Sequence, residues 1–186
     1  MGLVSSFTVL NKIITIIYNS KMLNIALEKL EYLCAEMPGL LAVIADNVFS
    51  EKPVSGAWSK KEILGHLIDS ATNNHQRFVR CQFETNPVIV YDQNKWNQFN
   101  FYQKNDGSQL VNLWKYYNLH LIDVVKNIPL QNLQRCCMVD GQLLPLDNLM
   151  IDYVKHTEHH LHQIVIFSCS YLNKAVIYSL KINLTT

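Results

Sequence analysis

Four separate stretches of this chain carry apolar residues at three- and four-residue steps, and that period constrains the fold more than any other feature. The first runs Leu23, Leu27, Leu30, Leu33, Met37, Leu41, Ile44, Val48. A second opens at Ser59 with Ile63, Leu67 and Phe78. A third is Leu110, Leu113, Trp114, Tyr117, Leu121, Val124, Ile128, and a fourth Met150, Tyr153, Val154, Thr157, Leu161, Ile164. Each pattern places one apolar stripe on one side of a helix. With 49% of 186 residues hydrophobic, the chain can bury one sizeable core. The expectation is an all-α, four-helix bundle. Residues 84–106 and 130–146 form two long crossover connections, which exclude a simple up-down-up-down order. Pro38-Gly39 falls inside the first stripe, so one kinked helix or two abutting ones should end near Ser50. Clean periodicity begins at Met22 and fades after Ser168. Residues 1–21 are therefore read as an N-terminal extension, 22–170 as the bundle and 171–186 as a tail.

The second helix has a marked start. Ser59 is a good N-cap, and Glu62 three residues on completes a capping box. Trp58 precedes the cap and should staple onto the first turn. Further along, His66, Ser70, Asn73 and Arg77 project within about 40° of one another on the helical wheel. A polar line beside an apolar stripe is not an ordinary solvated face. It reads as the wall of a polar cleft.

Four of the seven histidines crowd into His156-Thr-Glu-His159-His160-Leu-His162. His156 and His160 are one turn apart, on the border of the apolar arc, in a metal-chelating spacing. Asp152 lies a further turn back, where its carboxylate could hold a ring N–H of His156. Lys155, Glu158 and His162 point the other way. His66 supplies a third ligand from another helix. His75 and His120 read as surface residues.

Sixteen basic and fifteen acidic residues leave a net charge of +1, with no dense basic block. A nucleic-acid surface is thus poorly supported. Five scattered cysteines without CxxC spacing favour a reducing, cytoplasmic setting and argue against a cysteine-based zinc site. Residues 3–18 are apolar but broken by Asn11 and Lys12, too short and interrupted for a membrane span.

Two motifs carry a resemblance. Trp58-Ser59-xx-Glu62-Ile-Leu-Gly65-His66-Leu-Ile-Asp69-Ser70, followed by Asn73 and Arg77, resembles the second-helix motif of the DinB/YfiT-like superfamily. Tyr153-Val-xx-His156-xx-His159-His160-xx-Gln163-Ile164 resembles its C-terminal histidine motif. The similarity spans roughly Met22 to Ile166. It implies a four-helix bundle holding a divalent metal ion on His66, His156 and His160. Members with assigned activities resemble thiol transferases or thiol-dependent isomerases, so the resemblance also implies a low-molecular-weight thiol as partner.

The residues permit that chemistry on their own terms. A three-histidine set with one open position suits zinc best, with nickel, cobalt or iron chemically compatible. Such a site activates water or a thiol near neutral pH. Arg77 is the candidate for orienting a carboxylate or oxyanion, with Asp69 as a second candidate catalytic residue. Asp152 and Asn73 are candidate supports behind the ligands. Ser70, Tyr91 and Trp96 are candidate substrate contacts. A metal-dependent enzyme acting on a small electrophile is the leading reading, and a non-catalytic metal-stapled or stress-associated bundle is the other. The surplus of apolar residues makes a homodimer the expected assembly.

Overall fold

The computed structural model of the chain describes the backbone of residues 2–167 and the side chains from residue 18 onward. The tail at 171–186 and Cys169 lie outside the described residues. Among the described residues, six α-helices and one β-hairpin follow in the order α1 (Gly2–Ala42), α2 (Asp46–Ser50), α3 (Lys60–Arg80), α4 (Gln93–Phe99), α5 (Gly107–Lys126), β1 (Cys136–Val139), β2 (Gln142–Pro145) and α6 (Leu146–Ile164). The long helices α1, α3, α5 and α6 form the expected four-helix bundle. Helix α1 passes through Met22 without interruption. It also passes through Pro38 and breaks only at Val43–Ala45, before α2. The first stripe therefore ends as two abutting helices.

Helices α3 and α1 each pack against both α5 and α6. They consequently face each other across a diagonal, although they are consecutive long helices in the chain. The core has two halves. One gathers Leu30, Cys34, Phe78, Leu121, Met150 and Tyr153; the other gathers Met37, Leu64, Leu67, Trp114, Leu161 and Ile164. Leu64, Trp114 and Leu161 are fully buried. Each such side chain stabilises the fold by roughly 1.5–3 kcal/mol relative to exposure. Cys34 packs there as a small hydrophobe, its thiol pushed up to about 12 by burial.

The helix starts follow the residues. Ser59 accepts from the backbone N–H of Glu62 at 3.1 Å while Glu62 accepts from the Ser59 N–H at 2.8 Å, closing the predicted capping box. Asp106 caps α5 by accepting from the Gln109 N–H.

The two crossovers hold more structure than their composition announced. In the second, Asp140 and Gly141 both have positive φ and join β1 to β2 in antiparallel register. A two-residue loop of this kind matches the right-handed twist of the strands, and Asp-Gly is a preferred pair for it. In the first, Asp92 caps the short helix α4, and Tyr102 lays its ring across Gly65 of α3. A Cβ at Gly65 would stand 2.1 Å from that ring, so only glycine admits the contact. Among the described residues, no helix is long and apolar enough to cross a membrane.

Candidate metal centre

His66, His156 and His160 come together where α3 and α6 pack. One nitrogen from each lies within 4.8 Å of the others. Their ring centroids stand 4.4–5.0 Å apart, edge to face. The Nε2 atoms of His66 and His156 are 3.1 Å apart. Zinc–nitrogen bonds of about 2.0–2.1 Å place tetrahedral nitrogen pairs roughly 3.3 Å apart, so this pair already has a chelating spacing.

The electrostatics agree with that geometry. Burial, followed by the neighbouring His156 and His160, drives His66 down to about 3. Burial and the adjoining histidines His160 and His159 drive His156 down to about 4. Both rings are therefore neutral at neutral pH and offer lone pairs, which is the form a divalent ion binds. His66 is 1% exposed, and among the described residues no carboxylate joins the group. Three convergent neutral imidazoles are a poor arrangement for a hydrophobic core and a good one for zinc, nickel, cobalt or iron(II).

The Trp58 ring lies 5.1 Å from His66 at a tilt of 38°. Trp58 thus borders the cluster as well as the capping turn, a role the staple pattern did not indicate. With Gly56, Ile63, Gln93, Asn94 and Gln163, Trp58 lines an open groove of about 380 Å³. Two groove residues reach the cluster: Trp58 through His66, and Gln163 through His160, whose Nδ1 lies 2.9 Å from the Gln163 Oε1. Gln163 stood in the C-terminal motif, without a role assigned to it by the spacing of its neighbours.

The other polar residues of α3 have different employments. Arg77 donates from Nε and Nη2 to the Ile89 carbonyl and from Nη1 to Asn74 Oδ1. Its guanidinium is thereby engaged with the first crossover. Asn73 donates to the Asp69 carbonyl within its own helix, so it does not back a ligand. Asp69 accepts from the Tyr102 hydroxyl and, at 2.8 Å, from Asn100 Nδ2, leaving Oδ2 buried without a partner. Burial outweighs those two bonds and raises its carboxyl to about 6. No ion pair joins Asp69 to Arg77.

The support expected from Asp152 is not formed. Its carboxylate is on the exposed side of α6 and pairs with Lys155 at 3.3 Å, while the buried His156 Nδ1 has no hydrogen-bond partner. One further turn of helix rotates Asp152 out of reach. Glu158, read as pointing away, faces α1 and pairs with Lys29 at 2.7 Å. His75 is half-buried rather than on the surface, its Nδ1 2.9 Å from the Tyr117 hydroxyl and its ring beside His120. Tyr91 is stacked edge-on against Trp96, and burial raises its phenol against the opposing effect of the neighbouring Ser70 side chain. The three residues come together, but they do not line the groove beside the histidines. Trp96 lines a separate surface hollow with Asp92, Lys95, Phe99 and Asn100.

No family model matches the sequence. The chain is 23% identical over 141 residues to YfiT of Bacillus subtilis, named as a metal-dependent hydrolase, covering 74% of this chain and 79% of that protein. The structure of YfiT superposes with a TM-score of 0.68 at 22% identity, covering 78% of this chain and 83% of YfiT, and is described as an unusual four-helix bundle topology. A mycothiol-dependent maleylpyruvate isomerase superposes with a TM-score of 0.64 at 12% identity, over 78% of this chain and 62% of the isomerase. The structural likenesses show the fold, and the sequence match to YfiT agrees with the resemblance that the two motifs ending at Arg77 and Ile164 carry to the DinB/YfiT-like superfamily.

Proposed function

We propose that this protein is a metal-dependent enzyme in which His66, His156 and His160 hold a divalent ion, zinc foremost, and turn a thiol or water against a small electrophile. The observation that carries this reading is the convergence of three neutral histidine nitrogens beside an open groove. A three-histidine set leaves room for an exogenous ligand, the pattern of catalytic rather than structural zinc sites. When bound, the metal lowers the pKa of a thiol or water held there and polarises a carbonyl.

The chain's own residues supply the rest. Trp58 presents an aromatic face next to His66, against which the non-reacting part of a small substrate can pack. Gln93 and Asn94 offer both donors and acceptors to its polar groups. Asp69, with its raised carboxyl, holds or releases a proton near pH 6 and lies one turn along α3 from His66. YfiT is named for hydrolysis and the structurally similar isomerase for its dependence on mycothiol. Those names support water and a low-molecular-weight thiol as the two nucleophiles to compare. A reducing cytoplasmic setting and a homodimer complete the reading.

The test is an assay of thiol consumption with a panel of small electrophiles, run beside ester and amide hydrolysis. Zinc-loaded protein should accelerate one of these reactions, and chelation should abolish the acceleration until metal is restored. Equal rates with and without metal would contradict the proposal and favour a bundle in which the ion merely joins α3 to α6.

A further inference from the structure

Gln163 is exposed near the end of α6, yet its amide is engaged on both sides. Oε1 lies 2.9 Å from His160 Nδ1, and Nε2 lies 3.2 Å from His159 Nε2. An amide oxygen only accepts, so His160 must carry its hydrogen on Nδ1. An amide nitrogen only donates, so His159 must present a bare Nε2. A neutral imidazole has one N–H, and His160 is therefore left with its lone pair on Nε2, free for the cluster. The His159 lone pair is occupied by the same amide. Two adjacent histidines, either of which could serve as a ligand by sequence, are thus given opposite employments. Within the trio only His160 has its Nδ1 held by a protein hydrogen bond, because the Nδ1 atoms of His66 and His156 are buried without partners.

We propose that Gln163 is a positioning residue of the metal centre: it fixes His160 as an Nε2 ligand and holds His159 out of the coordination set. This rests on the metal-binding reading above. Partners that set the tautomer of a ligating histidine are commonly worth 10–100-fold in metal affinity, even though they touch no metal.

Two substitutions separate the role from simple packing. Gln163→Leu removes both hydrogen bonds at similar volume. Gln163→Glu keeps an acceptor toward His160 and removes the donor toward His159. Zinc affinity, measured by competition with a chromophoric chelator, should fall about tenfold or more in Gln163→Leu and stay within about threefold of wild type in Gln163→Glu. In metal-free protein at about pH 8, above the imidazole range, side-chain nitrogen NMR should show His160 protonated on Nδ1 in wild type and Gln163→Glu. In Gln163→Leu that preference should be lost. Equal zinc affinity in wild type and Gln163→Leu, or an Nε2–H tautomer at His160 in wild type, would overturn the role of Gln163 while leaving the metal site standing. Wild-type protein that bound no zinc, whatever its tautomer, would overturn the metal-binding reading and this role together.

Discussion

The two ends of one polar line on α3 differ in what surrounds them. At the N-terminal end, His66 meets two other imidazoles and an indole, and its Nδ1 has no partner. At the C-terminal end, Arg77 and Asn73 are committed to their own chain, and Arg77 anchors the first crossover through Ile89. Both ends are buried, so burial does not separate them. Satisfaction does: buried polar groups are ordinarily hydrogen-bonded, and a cluster of lone pairs left facing one another requires something to fill it. The difference teaches that the polar line divides into a proposed binding end and a bracing end, with Asp69 between them.

Substitutions can break or sharpen that division. Arg77→Ala strips two hydrogen bonds from the crossover and one from Asn74, and leaves the buried Ile89 carbonyl unsatisfied. A loss of roughly 2–3 kcal/mol in chemical denaturation is expected, with zinc stoichiometry unchanged. Lost metal with intact stability would assign Arg77 to the binding end. Gly65→Ala should cost about 1–3 kcal/mol, because its Cβ overlaps the Tyr102 ring and the crossover must shift. Full wild-type stability there would show that Tyr102 does not brace α3.

The metal-free protein should also respond to acid at the binding end. His66 and His156 titrate near 3 and 4 in the fold, against about 6.5 in the unfolded chain. Between those values the unfolded chain binds more protons, so stability falls as pH drops from 6.5 toward 4. Asp69, raised to about 6, works in the opposite sense and is lost as pH rises through that value. Two groups outweigh one, and after allowance for partial exposure a net decline of about 1–2 kcal/mol is expected in urea titrations with chelator present. A flat profile would mean that the histidines are not held neutral. Smallest of all, Asp152→Asn should leave zinc affinity unchanged, and an affinity loss would restore Asp152 as a support for His156.

The bundle was legible because helical period and capping are local: Ser59 and Glu62 do in the structure what their spacing implies. The meeting of His66 with His156 and His160 was legible because each sits at the border of an apolar stripe, which must turn toward a neighbour. What escaped was set by contacts distant in sequence. Wheel position put Asp152 on the His156 side, yet a turn of helix carries it into solvent. Trp58 looked like a local staple, and its place against His66 follows only from the approach of the 51–58 turn. The hairpin was available in Asp140-Gly141, a dipeptide suited to positive φ, but its strands of four residues are too short for alternation to announce them.

Metal analysis of the purified protein, beside His66→Ala and His160→Ala variants that retain wild-type helicity, tests the central claim most directly. About one equivalent of divalent metal in wild type, lost in both variants, is the predicted result. Protein that stays metal-free after reconstitution with zinc and nickel, or variants that bind as well as wild type, would contradict it.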